Sequence, residues 1–282
     1  MLVDFMVIGA QKCGTSSLAG QLAQHPQICF CSKKEPGYFD RTEDWEATLD
    51  EYHKLYSPAA GQICGEASTM YTFIPEWQGT HARLAAYNPD LKLIYMMRQP
   101  VERIISQYSH RLVRGTVRDD AEIAVFADPA YVNRSRYAVQ IRPYLELFGP
   151  EKVLLLIFEE YTHDPLSILG RIAEFLDVRP DAFQSVDLTA RHRSAREWYL
   201  RDSYRKMQSS TVLRAVASKV PSSMRRAARP YFCNRLEAKP EFSPELKLTL
   251  WRMLEDDVAA IEDMLGRRLV TWREENTERT YL

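Results

Sequence analysis

Short uninterrupted apolar runs recur along this chain, with stretches of helical spacing between them. Residues 5–9, Phe-Met-Val-Ile-Gly, form an apolar run that ends on a glycine. Residues 28–31, 62–66 and 91–97 are further strand candidates, and 153–158 is wholly apolar, as in a parallel sheet buried on both faces. Between them, residues 15–24 have helical composition and are closed by His25-Pro26. A helix is predicted from Pro100, a good first helical position, to about Arg114. Another is predicted over 131–148, with Gly149-Pro150 as its stop signal. Residues 166–176 and 244–265 read as amphipathic helices. Strands alternating with helices predict an α/β fold with a central parallel sheet flanked by helices.

No internal repeat, low-complexity tract or linker interrupts the 282 residues, so one domain is expected over 1–282. Within it, about 200–233 reads as a helical excursion or cap. The 45% hydrophobic and 27% charged content is that of a globular chain and excludes general disorder, collagen and coiled coil. The longest apolar run, 153–158, falls far short of the roughly 20 residues of a membrane span. The N-terminus reads directly into a core strand with no basic-then-apolar signal segment, so a cytoplasmic protein is expected. Five cysteines make no disulfide framework, and Cys29-Phe-Cys31 has the wrong spacing for zinc.

A net charge of −1 gives no global basicity, so nucleic acid is not an expected partner. The average hides an asymmetry. Residues 191–239 hold thirteen Lys/Arg against three Asp/Glu, about +10 against about −11 for the rest. Such a segment is either a solvated basic face or a cleft wall that focuses an anionic ligand.

The loop after the first run points to the second reading. It runs Gly9-Ala-Gln-Lys12-Cys13-Gly14-Thr15-Ser16-Ser17, two glycines five apart between a strand and a helix. Glycines allow a tight turn with inward N–H groups, and the helix N-terminus adds partial positive charge; together they cradle an oxyanion. A capped turn with no ligand is the plain alternative. In a nucleoside-triphosphatase loop the lysine follows the second glycine and a Ser or Thr then holds magnesium. Here Lys12 precedes Gly14 and Thr15 stands in its place, and no apolar strand ends in an aspartate suited to a metal. No metal is expected. A kinase or NTPase using ATP·Mg, or a non-catalytic nucleotide-binding protein, stands as the alternative.

The arrangement resembles the 5′-phosphosulfate loop of sulfotransferases that use 3′-phosphoadenosine 5′-phosphosulfate (PAPS). Further segments carry the resemblance. Tyr95-Met-Met-Arg98-Gln-Pro100 through Ser106-Gln-Tyr108 is similar to the family's 3′-phosphate segment, with Arg and Ser eight apart. Lys34-Glu35-Pro36-Gly-Tyr-Phe39-Asp40 resembles the segment bearing the acid/base glutamate of the glycosaminoglycan-type branch. Arg136-Tyr137-Ala138, the 153–158 strand with Glu159-Glu160, and Leu265-Gly266 to Trp272 also fit. The likeness spans nearly the whole chain.

By that resemblance the chain is a PAPS-dependent sulfotransferase with a P-loop-like fold, releasing 3′,5′-diphosphoadenosine (PAP). Lys12 would stabilise the oxygen between sulfur and the 5′-phosphate. Lys12, Cys13, Gly14, Thr15 and Ser16 would hold the 5′-phosphate, and Arg98 and Ser106 the 3′-phosphate. Glu35 is the expected base, with a plain ion pair to Lys33 or Lys34 as the alternative. Asp40 would bind or orient the acceptor. Glu66, at a strand end, and His110, one turn past Ser106, are further acid/base or acceptor candidates. The branch has a lysine after this glutamate where this chain has Ala67, which casts doubt on a polyanionic sugar acceptor. Trp198 would stack on the adenine, and Arg235 would complete the 3′-phosphate site with Arg193 and Arg196 as rivals. Only Cys233 is present where that branch forms a disulfide, and the excursion there reads as an acceptor lid. The expected partner is a carbohydrate, glycolipid or secondary-metabolite acceptor with a hydroxyl or amine.

Overall fold

Five parallel strands form the sheet, in the order β2-β3-β1-β4-β5, with β1 (Phe5–Gly9) at its centre and every residue of β1 buried. The structure, a computed structural model, describes residues 2–42, 44–189, 198–200, 233–235 and 240–274. The other strands are β2 (Ile28–Phe30), β3 (Ile63–Ala67), β4 (Lys92–Met97) and β5 (Val153–Ile157). Each predicted run forms a strand. Continuous apolar sequence is what a strand covered on both faces requires. The chain lays β2 and β3 on one side of β1 and then β4 and β5 on the other. The order therefore reverses between β1 and β4, where open α/β sheets bind their ligands beyond the carboxyl ends.

The helices are α1 (Thr15–Leu22), α2 (Tyr38–Arg41), α3 (Leu49–His53), α4 (Thr80–Tyr87), α5 (Pro100–Arg114), α6 (Ala121–Ala127), α7 (Ala130–Asn133), α8 (Tyr137–Phe148), α9 (Phe158–His163) and α10 (Pro165–Leu176). After them come α11 (Pro244–Arg252), α12 (Glu255–Leu265) and α13 (Val270–Glu274). Three expectations need correction. The helix expected over 131–148 is two helices, broken at Ser135. The Ser135 hydroxyl bonds the Pro100 carbonyl at 3.2 Å and accepts from the buried Arg103 Nε at 2.5 Å, so the turn follows a tertiary contact. The helix expected over 244–265 breaks near Leu254. The break lets Asp257, in the first turn of α12, take the Ala138 and Val139 amides at 3.0 and 3.2 Å and cap α8. Phe158, expected at the end of β5, instead begins α9.

The chain divides into two compact units. The first comprises Met1–Ile104, Pro129–His192 and Ser243–Leu282 and contains the five-stranded sheet. The second comprises Ile105–Asp128 and Arg193–Phe242. It holds the later turns of α5, α6, and an antiparallel pair, β6 (Trp198–Leu200) and β7 (Cys233–Arg235), whose register sets Trp198 opposite Arg235. Tyr108 meets Phe242 edge-on at 5.5 Å, and its hydroxyl donates to the Asp119 carbonyl at 3.0 Å. Apart from those two strands, the cap expected at about 200–233 lies outside the described residues.

Candidate active site

The loop from β1 to α1 carries the first candidate group. Its amide at Ala10 is tied to the Met96 carbonyl of β4 at 2.8 Å, and Arg134 Nη1 donates to Gln11 Oε1 at 3.2 Å. Lys12 follows, half-buried, with φ 72°. A left-handed backbone costs a non-glycine residue about 1–3 kcal/mol, so surrounding structure imposes this pose. Gly14 caps α1 with φ 84° and no side-chain hydrogen bond. In the first turn of α1 the Ser17 amide is taken by the Gly14 carbonyl at 2.9 Å, which leaves the amides of Thr15 and Ser16, with no partner among the described residues, as the anion-binding donors. A Cβ on Gly14 would sit 2.6 Å from the Phe158 ring. Ser16 is half-buried, while Thr15 and Ser17 are buried.

The Cys13 side chain turns into the core. Its thiol is fully buried at 3.7 Å from the Tyr137 hydroxyl, and burial pushes its pKa up to about 11. An enclosed neutral thiol is poorly placed for oxidation. Its amide donates to the Ala10 carbonyl at 3.3 Å, so Cys13 shapes the loop from within.

Arg98 follows β4 directly. Its guanidinium lies 5.0 Å over the Phe158 ring, and its Nη2 pairs with Glu102 Oε2 at 3.1 Å. The aromatic ring that packs under Gly14 thus also carries Arg98. The segment is anchored twice more. Tyr137 Oη donates to the Arg98 carbonyl at 2.8 Å, and Glu159 accepts the Gln99 amide at 2.9 Å and Trp272 Nε1 at 3.0 Å. Lys12, Gly14 and Arg98 are therefore gathered at the β1/β4 edge. Ser106 is buried and His110 half-buried on the part of α5 that belongs to the second unit. Trp198 and Arg235 are located by strand register alone, and Arg193 and Arg196 lie outside the described residues.

The Glu35 segment forms the second cluster. Glu35 is half-buried with φ 49°, and Gly37 has φ 56°. A Cβ there would come within 2.9 Å of Asp40 Oδ1, in the first turn of α2. Two amides of this loop are held by the turn that follows β3. The Gly37 amide donates to Ser68 Oγ at 3.0 Å, and the Tyr38 amide to Tyr71 Oη at 3.1 Å. Tyr71 Oη in turn donates to Glu66 Oε1 at 2.6 Å. Stacked Tyr38 and Tyr52, with ring centroids 4.6 Å apart, complete an aromatic wall.

Glu66 stands at the end of β3 as expected, but its carboxyl is 0% exposed, and Oε2 has no hydrogen-bond partner among the described residues. Burial raises its pKa from 4.5 to about 8, against the hydrogen bond from Tyr71, and nearby Asp40 raises it further. The native chain keeps this proton until about pH 8, while the unfolded chain releases it near 4.5. The protonated group's contribution to stability is therefore complete below about pH 4.5 and falls away as pH rises towards 8. Glu66→Gln, neutral at every pH, is expected to match the wild-type midpoint near pH 4.5 and to exceed it by about 5 °C or more at pH 8.5. Thermal unfolding across that range checks this; parallel curves would mean that Glu66 is ionised in the fold.

Sequence reading assigned no role to Ser68 or Tyr71, and it counted Phe158 and Glu159 only among the segments that carry the family resemblance. Ser68 and Tyr71 act across about thirty residues of sequence on a loop already suspected, and no spacing pattern signals this.

Comparison with known proteins bears on the same elements. A family model described as a sulfotransferase domain matches residues 2–228. Heparan sulfate glucosamine 3-O-sulfotransferase 3B1 from Homo sapiens is 30% identical over 193 residues, covering 63% of this chain and 47% of that protein. Carbohydrate sulfotransferase 15 from Mus musculus is 25% identical over 248 residues, covering 64% of this chain and 44% of that protein. The chain spans about half the length of the curated relatives it matches. The crystal structure of a sulfotransferase from Alicyclobacillus acidocaldarius superposes with a TM-score of 0.70 at 26% identity, covering 97% of this chain and 99% of that one.

Proposed function

The chain belongs to the sulfotransferase domain family, and from that premise we propose that it transfers the sulfuryl group of PAPS to a hydroxyl or amine of an acceptor and releases PAP. One observation carries the reading. Gly14, at the N-terminus of α1, and Arg98 both pack on Phe158 at the β1/β4 edge, and Lys12 lies two residues before that glycine in the same loop. That is a cradle for a phosphate and for charge developing on the oxygen beside it, with its catalytic cation inside the loop.

The chain's residues divide the work as follows. The amides of Gly14, Thr15 and Ser16 hold the 5′-phosphate, and Lys12 neutralises the leaving oxygen. Arg98, braced by Glu102 and by Phe158, serves the 3′-phosphate, and Ser106, Trp198 and Arg235 of the second unit keep the nucleotide-binding roles that the family resemblance implies for them. Glu35 takes the acceptor proton, and Asp40 and His110 orient the acceptor. Sulfuryl transfer in line needs little else from a protein than alignment and charge stabilisation. The acceptor is a carbohydrate, glycolipid or secondary metabolite. Described cysteines Cys13, Cys29, Cys31 and Cys64 are free thiols, in keeping with a reducing, cytoplasmic location.

Thermal unfolding with PAP, ADP and ATP·Mg at equal concentration tests the reading. A ligand at about 100 times its Kd adds roughly 2.7 kcal/mol of stability. At this size that moves the midpoint by roughly 5–10 °C. A shift with PAP alone is expected. A shift with ATP·Mg alone would overturn it in favour of a kinase.

A further inference from the structure

The Glu35 loop takes a backbone path that its own sequence resists. Glu35 precedes Pro36, and a residue before proline is steered to extended conformations, yet Glu35 has φ 49°. Gly37 is left-handed as well, at φ 56°. What holds the path lies outside the loop. The next two amides, of Gly37 and Tyr38, are accepted by Ser68 Oγ at 3.0 Å and Tyr71 Oη at 3.1 Å. A phenol has one proton, and Tyr71 gives it to Glu66 Oε1 at 2.6 Å, which turns an oxygen lone pair towards the Tyr38 amide. The residue itself is held at both ends, because Tyr144 Oη donates to the Tyr71 backbone carbonyl at 2.5 Å. Ser68, Tyr71 and Glu66 are all fully buried, so none of the three is placed to meet an acceptor directly.

We propose that Tyr71, oriented by Glu66 and assisted by Ser68, is a positioning residue that sets the Glu35 carboxylate for proton abstraction. The inference rests on Glu35 being the base, as proposed above. Tyr71→Phe keeps the ring and removes both hydrogen bonds. It should lower kcat by about tenfold or more while leaving the KM for PAPS and the thermal shift with PAP unchanged, since the Lys12 loop is untouched.

A merely structural loss would multiply with any other loss, so the deciding readout is a double-mutant cycle with Glu35→Ala. Tyr71→Phe placed in the Glu35→Ala background should cost less than about twofold further, because there is no base left to misplace. Independent multiplication of the two losses, a kcat for Tyr71→Phe within twofold of wild type, or a weakened PAP shift would each overturn the proposal and leave Glu35 as the base. Full turnover in Glu35→Ala alone would remove the base reading and this inference with it. Should Tyr71→Phe fail to fold, Ser68→Ala, which frees the Gly37 amide, enters the same cycle with the same criteria.

Discussion

Glu35→Ala is expected to lower kcat by at least about 10²-fold while the thermal shift with PAP stays at its wild-type value. Positioned general bases contribute typically about 10²–10⁴-fold. The geometry explains why the loss should fall on turnover alone. Glu35 sits on the loop docked to the end of β3, apart from the β1/β4 edge where Lys12, Gly14 and Arg98 gather. Removing its carboxylate leaves the packing of Gly14 and Arg98 on Phe158 in place. Glu35→Gln is the stricter variant, since it keeps the shape of the side chain at φ 49° and removes only the basicity. Both variants should lose turnover equally. A deficit in Glu35→Ala that Glu35→Gln restores would mean that the side chain positions the acceptor by hydrogen bonding. Undiminished turnover in both would transfer the base to His110 or, through Tyr71, to Glu66.

The parts of this protein that were legible in the sequence are those whose physics is local. A strand buried on both faces must be apolar throughout, and the runs at 5–9, 91–97 and 153–158 announce β1, β4 and β5 almost to the residue. Gly14 of the Lys12 loop is legible for the same reason, because the left-handed turn before α1, at φ 84°, favours glycine. Contacts made at long range were not legible. The break at Ser135 follows from Arg103, a buried guanidinium that needs acceptors from residues 131 and 135. The break near Leu254 follows from the uncapped start of α8. Glu66 looked like an accessible strand-end carboxylate; only the packing of Tyr52 and Tyr71 around it makes it a buried acid that keeps its proton at neutral pH. In each case the partners that decide what a polar group does came from elsewhere in the chain.

Lys12→Ala is expected to weaken PAPS binding and to lower kcat by about 10²–10³-fold, the loss seen when a single donor to a developing oxyanion is removed. The division between the two effects identifies what the lysine touches. A cation bound only to a phosphate oxygen stabilises ground and transition states alike, and its removal raises KM while sparing kcat. A cation at the oxygen between sulfur and phosphorus meets little charge in the bound donor and much more as the bond breaks, so its removal appears chiefly in kcat. The backbone favours the second case. At φ 72° Lys12 is held in a costly conformation inside the loop, while in the proposed function the phosphate itself falls to the amides at the start of α1. Strain confined to one residue is consistent with a side chain that must project to a single point. Steady-state measurement of kcat and of the KM for PAPS, with a PAP thermal shift beside them, separates the alternatives. A raised KM with unchanged kcat would reassign Lys12 to phosphate binding and leave the leaving oxygen to the α1 amides.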